Sequence, residues 1–250
     1  MLYTSNATGK EIEDIRKAVT EMYGTPEEYL TNHYPANYFD YFLDLGTRGT
    51  FNPWHINFIA KENPDTMCLG FEPDIPYYNE LLYECGQAEW PGKEKKEELI
   101  NVFLHPEGFG TGENIPTPQG FAKTKSLKQI FENYELDPDR RWMVKFDCEG
   151  CEYALMEPGS SEDVEILKKA DHIAFEIHDK GCGKNYFTEN NPLPDTLIAV
   201  EQWLDKTFSE THTTFLTCID NGCKTYVLLS NRIMEESEDL FWKDIINVSQ

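Results

Sequence analysis

The sequence predicts an α/β domain, a mostly parallel sheet covered by helices on both faces and finished by an antiparallel hairpin. Three observations predict it. Short apolar runs alternate with helix-length amphipathic segments, the pattern of strand–helix–strand units. The run Tyr41-Phe-Leu-Asp-Leu breaks at Gly46 and Gly49 and re-enters a helical pattern at Pro53-Trp-His-Ile. Near the end, His212-Thr-Thr-Phe-Leu-Thr-Cys-Ile219 and Cys223-Lys-Thr-Tyr-Val-Leu-Leu229 flank Asp220-Asn-Gly222, a hairpin signal.

In chain order, residues 10–23 place Ile12, Ile15, Val19 and Met22 on one helical face, with Gly24 as the stop. Thr25-Pro-Glu-Glu restarts a helix with a capping residue, proline in the first turn and acids at the positive end. Residues 1–38 therefore read as a helical N-terminal extension, and 39–250 as the α/β domain. Strands are expected at 40–45, 66–72, 99–104, 141–147 and 171–178. Helices are expected at 53–62, 76–85, 124–134, 150–157 with 162–170, and 195–208. Two stretches rich in Gly, Pro and Asn, 105–121 and 179–194, read as long loops, functional or mobile.

Composition narrows the function. A chain of 250 residues with 40% hydrophobic and 27% charged residues can bury a full core. A net charge of −23 opposes binding to nucleic acid phosphates, which needs a basic face, and opposes docking on anionic lipid. No signal peptide or membrane-spanning run is apparent, so a cytoplasmic location is expected. Seven cysteines in a chain of this size are expected to be reduced.

Two strand ends read together as a nucleoside site. Asp44 precedes the glycine turn, where a backbone without side chains lets a ligand approach and helix N–H groups face it. Met67-Cys-Leu-Gly-Phe-Glu-Pro73 is a second strand ending in an acid, and Glu72 lies 23 residues after Gly49. That is close to the spacing at which nucleotide-binding units place the acid that holds ribose hydroxyls. Two further strands end in chemistry. Lys145-Phe-Asp-Cys-Glu-Gly-Cys-Glu152 puts Asp147 at a carboxyl end, with Gly150 permitting the next turn. Ile173-Ala-Phe-Glu-Ile-His178 delivers Glu176 and His178.

These motifs, in this order, resemble those of the FkbM-type S-adenosylmethionine-dependent methyltransferases. The likeness covers roughly residues 40–180, and its most specific part is the run from Lys145 to Glu152; Thr124-Lys-Ser-Leu127 stands where that family has a Thr-Leu segment. The resemblance implies a Rossmann-like class I methyltransferase fold, with a seven-stranded mostly parallel sheet ending in an antiparallel hairpin. It implies O-methylation of a hydroxyl, on a sugar of a glycan or glycoconjugate, with S-adenosyl-L-methionine as cofactor. Arg48 and Thr50 stand where the family has Asn and Gly. By resemblance, Glu72 with Pro73 would hold the ribose. The turn Gly46, Thr47, Arg48 and Gly49 would lie by the methionine part, and the stretch from His105 to Gly108 by the adenine.

Transfer from a sulfonium needs alignment of acceptor oxygen and methyl carbon, and an alcohol needs help in losing its proton. His178, with an ordinary pKa near neutrality, is the first candidate base; Asp147 and Glu149 follow, and Lys145 could orient them or hold an acceptor oxygen. Asp147, Glu149 and Glu176 could also hold Mg2+. Each feature has a plainer account: a satisfied structural histidine, or acids favouring a helix start. Cys148-x-x-Cys151 has the spacing of a zinc or redox pair, but Cys182, Cys218 and Cys223 supply no second pair, so small buried thiols are expected. The rival functions are an NAD-dependent oxidoreductase, which needs a third glycine in the first turn, and a non-catalytic binding module with the same fold.

Overall fold

The computed structural model describes residues 36–47, 56–117, 120–148, 150–157, 159–178, 197–220 and 224–231. The helical extension expected over 1–38 and the loop expected over 179–194 fall almost wholly outside these residues. The central sheet contains seven strands. They are β1 (Tyr41–Leu45), β2 (Met67–Phe71), β3 (Val102–His105), β7 (Trp142–Phe146), β8 (His172–His178), β9 (His212–Asp220) and β10 (Lys224–Asn231). The order across the sheet is β3-β2-β1-β7-β8-β10-β9. From β3 to β8 all neighbours are parallel; β10 pairs antiparallel with both β8 and β9. The order reverses between β1 and β7, so the crevice for a ligand in a doubly wound sheet opens at their carboxyl ends.

The parallel strands form because both faces are buried, which is why they read as unbroken apolar runs. Alternate residues serve two cores. Leu43, Leu45, Leu69, Phe71, Val144, Phe146, Ile173 and Phe175 pack against α3 (Leu127–Asn133), a 3-10 segment (Cys151–Met156) and α5 (Leu197–Phe208). Phe42, Cys68, Met143 and Ala174 face the other way, toward Ile56, Ile59 and Ala60 of α1 (Ile56–Glu62). Helix α2 (Ile75–Glu84) follows β2, with proline in its first turn and Asp74 as its cap residue. Helix α3 begins with a reciprocal capping box, Ser126 Oγ accepting from Gln129 N–H and Gln129 Oε1 accepting from Ser126 N–H. Helix α4 (Ser161–Leu167) completes the layer beside α3.

The stretch expected to be a loop, 105–121, instead contributes most of a second sheet. Strands β4 (Gly108–Phe109), β5 (Asn114–Thr117) and β6 (Gly120–Lys125) run in the order β4-β6-β5. Buried Thr124 ties it together, donating to the Glu113 carbonyl at 2.6 Å and accepting from Gly112 N–H at 3.1 Å. The expected helix 124–134 accordingly starts only at Leu127, and the expected helix 150–157 is a single 3-10 segment. Among the described residues no helix is long and apolar enough to cross a membrane.

Candidate functional site

One face of the central sheet changes character along its strands. Its first half is apolar, with Phe42, Cys68 and Met143; two residues further on, toward the carboxyl ends, stand Asp44, Gly70 and Lys145, level with Ala174. Register makes this a single row, because Asp44 pairs with Gly70 on one side and Lys145 on the other, and Lys145 pairs with Ala174. Side chains alternate with period two, so Glu72, Asp147 and Glu176 continue the same face one pleat further. Helix α1 packs on the apolar half, and its first residue, Ile56, also reaches Gly70 of the polar half.

The row is buried and mostly anionic. Asp44, Glu72, Lys145 and Glu176 are each less than 5% exposed. Lys145 Nζ lies 3.4 Å from Asp44 Oδ1 and 3.2 Å from Asp147 Oδ2, bridging the carboxylates of β1 and of the turn after β7. Asp44 Oδ2 is buried without a hydrogen-bond partner among the described residues. Such an atom fits a donor brought in by a ligand, because leaving it unmet costs about 1–3 kcal/mol. Glu72 Oε1 accepts from Asp74 N–H at 2.7 Å, which fixes the carboxylate's orientation at the start of α2.

The glycine turn differs from its expected role in a specific way. Gly46 has φ +89°, a region open to glycine. The space beside it, however, is taken by the chain itself: a Cβ there would lie 2.0 Å from the Asp147 carbonyl oxygen and 2.7 Å from Cys148 Cα. Its N–H and that of Thr47 both donate to the Phe71 carbonyl, at 3.0 and 3.2 Å, and Thr47 Oγ1 donates to the Asp44 carbonyl. These two amides tie β1 to β2; the helix start whose N–H groups are expected to face a ligand lies outside the described residues. Arg48, Gly49 and Glu149 lie outside the described residues, as does the side chain of His178; the backbone of His178 ends β8.

His105 is separated from this row. It pairs with Phe71 in the β2–β3 register, stacks on its ring at 4.9 Å, and hydrogen-bonds the Tyr134 hydroxyl. That is the opposite face from Asp44. Burial and the nearby Lys125 ammonium push its pKa down, with Glu107 opposing. Gly108 does approach Pro73, since a Cβ on it would lie 3.6 Å from the proline ring and 2.9 Å from Ile115 Cδ1. The second sheet thus packs against the end of β2, close to Glu72.

The cysteines also depart from expectation. Cys148 and Cys151 form a disulfide, their Cα atoms 5.3 Å apart, within the span a disulfide bridges. Cys148 precedes the 3-10 segment, and Cys151 N–H donates to the Cys148 carbonyl at 3.4 Å, a turn that spacing alone left open. Glu152, buried, accepts from Gly150 N–H at 3.0 Å, and its carboxylate and the two sulfurs lie within 4.8 Å of one another. Cys68 and Cys85 are free and buried; burial pushes both thiols up, Cys85 to about 12.

No family model matches the chain, and no curated protein does. Solved structures give distant likenesses. A SAM dependent methyltransferase from Aquifex aeolicus is 13% identical, with a TM-score of 0.42 over 90% of this chain and 98% of that one. The 16S rRNA (adenine(1408)-N(1))-methyltransferase from Catenulisporales acidiphilia is 15% identical, with a TM-score of 0.42 over 82% and 92%. A fibrillarin/Nop5p complex chain is 10% identical, with a TM-score of 0.44 over 92% and 90%.

Proposed function

We propose that the chain is an S-adenosylmethionine-dependent O-methyltransferase whose acceptor is a sugar hydroxyl. The observation that carries this reading is the single-faced row Asp44, Glu72, Lys145, Asp147 and Glu176 at strand ends around the switch point. Of the four carboxylates of that row, Asp44 and Asp147 meet the Lys145 ammonium, and the gathering of acids is a setting suited to a cationic ligand such as a sulfonium. The ordered motifs and their resemblance to FkbM-type enzymes supply the methyl-transfer chemistry and the sugar acceptor. The charge of −23 weighs against an RNA acceptor.

Bound there, the cofactor would supply an activated methyl that an oxygen displaces in line. The chain's own residues divide the remaining work. Glu72, its carboxylate already aimed by Asp74, accepts from the ribose hydroxyls. Asp44 Oδ2 accepts from an ammonium donor. Asp147, whose side chain is 15% exposed, borders the acceptor space, and Lys145 holds it in place. His178, at the end of β8, takes the acceptor's proton. Mg2+ is left out of this reading: of its candidate ligands Asp147, Glu149 and Glu176, Asp147 is held by Lys145 and Glu149 lies outside the described residues.

Calorimetric titration with S-adenosylhomocysteine, with NAD as the paired control, tests the cofactor. Micromolar binding of the first and none of the second is expected; the reverse would replace the reading with the oxidoreductase. Transfer of labelled methyl to a panel of sugars then tests the acceptor.

A further inference from the structure

Asp74 stands two residues beyond Glu72, in the turn that leads from β2 into α2. Its backbone has the extended geometry of a helix cap residue, φ −83° and ψ 109°, yet its side chain makes no capping bond. The sequence removes part of the reason to cap. Pro76 stands at the second position of the helix, and proline has no N–H to offer. The Asp74 side chain instead leaves Oδ1 buried without a hydrogen-bond partner among the described residues. Asp44 Oδ2 is in the same condition, so unmet acceptors stand beyond β2 as well as on β1, both at the carboxyl edge of the sheet. A buried acceptor with no donor weakens the folded state, and a ligand that brings the donor is its fitting partner. The neighbours narrow the kind of donor. Asp74 N–H donates to Glu72 Oε1 at 2.7 Å, which draws the Glu72 carboxylate against the same turn. Pro73 between them is buried, and Gly108 of the second sheet closes on its ring.

We propose that Asp74 is the second acid of the ribose site: Glu72 accepts from one of the two vicinal hydroxyls and Asp74 Oδ1 from the other. This rests on the methyltransferase reading, which supplies the nucleoside, and divides between two acids the hydroxyls so far given to Glu72 alone. Ionised carboxylates only accept, and a vicinal diol presents two O–H donors one carbon–carbon bond apart. One oxygen of Glu72 is already engaged by the Asp74 amide, so a donor for each acid satisfies the pair. The turn then reads free hydroxyls. A ribose phosphorylated on either one would set a dianion against two carboxylates, and a deoxyribose would leave one acid unmet.

Calorimetry on the full chain tests this with S-adenosylhomocysteine and its 2′-deoxy and 3′-deoxy analogues. Wild type should bind each analogue about tenfold or more weakly than the parent, the scale of one hydrogen bond to a charged group. Asp74→Ala should lose about tenfold on the parent and then bind one of the analogues as well as the parent, because the contact that analogue lacks is already gone. The other analogue should still be discriminated about tenfold, through Glu72. Asp74→Asn, which keeps an acceptor oxygen, should recover part of the loss. Urea unfolding of the ligand-free protein separates this role from a helix cap. No capping bond is lost and a buried unmet oxygen is removed, so Asp74→Ala should unfold at the same urea concentration as wild type or a higher one. An Asp74→Ala variant that binds the parent as wild type does, or discriminates both analogues as wild type does, overturns the proposal. So does a lowered urea midpoint with an equal loss on all three ligands. Wild type that binds parent and analogues alike overturns the proposal and leaves the cofactor reading standing. Wild type that binds none of the three overturns the cofactor reading, and the ribose assignment with it.

Discussion

Lys145 stands beside Asp44 in the β1–β7 register, its Nζ 3.4 Å from Oδ1, with the two side chains 3% and 0% exposed. Asp147 meets the same ammonium at 3.2 Å from the turn beyond. Lys145→Met would leave two carboxylates beside one another without their shared cation. Breaking a buried pair in this way costs about 3–5 kcal/mol. For a chain of this size that lowers the melting temperature by roughly 10 °C. Thermal unfolding should show that loss, and Asp44→Asn added to Lys145→Met should recover part of it. A melting temperature unmoved by Lys145→Met would mean that the ammonium does not hold the two acids together.

The two halves of the expected cofactor set should separate under substitution. Glu72 belongs to the buried acid row, while His105 stacks on Phe71 across the sheet. Glu72→Ala should remove detectable S-adenosylhomocysteine binding, since an unmet ribose contact in a buried site costs about 1–3 kcal/mol and the row loses a charge as well. His105→Ala should change affinity by less than about threefold, because each 1.4 kcal/mol is tenfold and the contacts it loses, to Phe71 and Tyr134, lie on the other face of the sheet. Calorimetry on both variants checks the split, and equal losses would place His105 back beside the ligand.

How much of this was legible depended on what each feature needs. The parallel strands were readable because burial on both faces leaves an apolar run, as in Tyr41–Leu45 and Trp142–Phe146. The acids were readable because each interrupts such a run at its end. The second sheet was not: β4 has two residues, and β6 is Gly-Phe-Ala-Lys-Thr-Lys, with only Ala122 and Thr124 buried. Those strands are held by tertiary partners such as the Thr124 hydroxyl, which no local pattern records. The role of Gly46 was half legible. A glycine after a strand signals a special φ, but whether a ligand or the chain's own Asp147 backbone takes the vacant side depends on a strand about one hundred residues away.

That distinction can be measured. Gly46 and Gly112 have nearly the same φ, +89° and +93°, so alanine at either carries the same backbone penalty of about 1–2 kcal/mol. They differ in surroundings. A Cβ at Gly46 would overlap the Asp147 carbonyl, whereas one at Gly112 meets only the Gln129 side chain, at 3.6 Å. Gly46→Ala should therefore cost at least about 2 kcal/mol more than Gly112→Ala in urea unfolding, as overpacking against backbone does. Equal costs would mean that the turn moves aside freely.

The amino end of the sheet predicts an acid limit to stability. His172 is fully buried, and burial, with the neighbouring His212 charge, lowers its pKa to about 3. His212 is lowered to about 4 by burial, with its bond to the Ala170 carbonyl opposing. That carbonyl can only accept, so Nε2 carries the proton and Nδ1 accepts from the Thr211 hydroxyl; the ring is satisfied as the neutral form. Both folded pKa values lie below the unfolded value near 6.5, so the unfolded chain binds more protons between them. The stabilisation is whole above about pH 6.5 and is lost as pH falls toward 4 and 3. Asp171 acts the other way. Burial raises it to about 6 against the bond from Trp142 N–H, so the folded state takes up its proton first and gains stability as pH falls through 6. Two histidines outweigh one aspartate, and the net loss by pH 5 is on the order of 2 kcal/mol. Urea unfolding at pH 7.5, 6 and 5 should show that decline. His212→Asn should be less stable at pH 7.5 and fall less steeply below it, since one of the two groups that must charge is gone. A variant as steep as the wild type would assign the acid sensitivity to other groups.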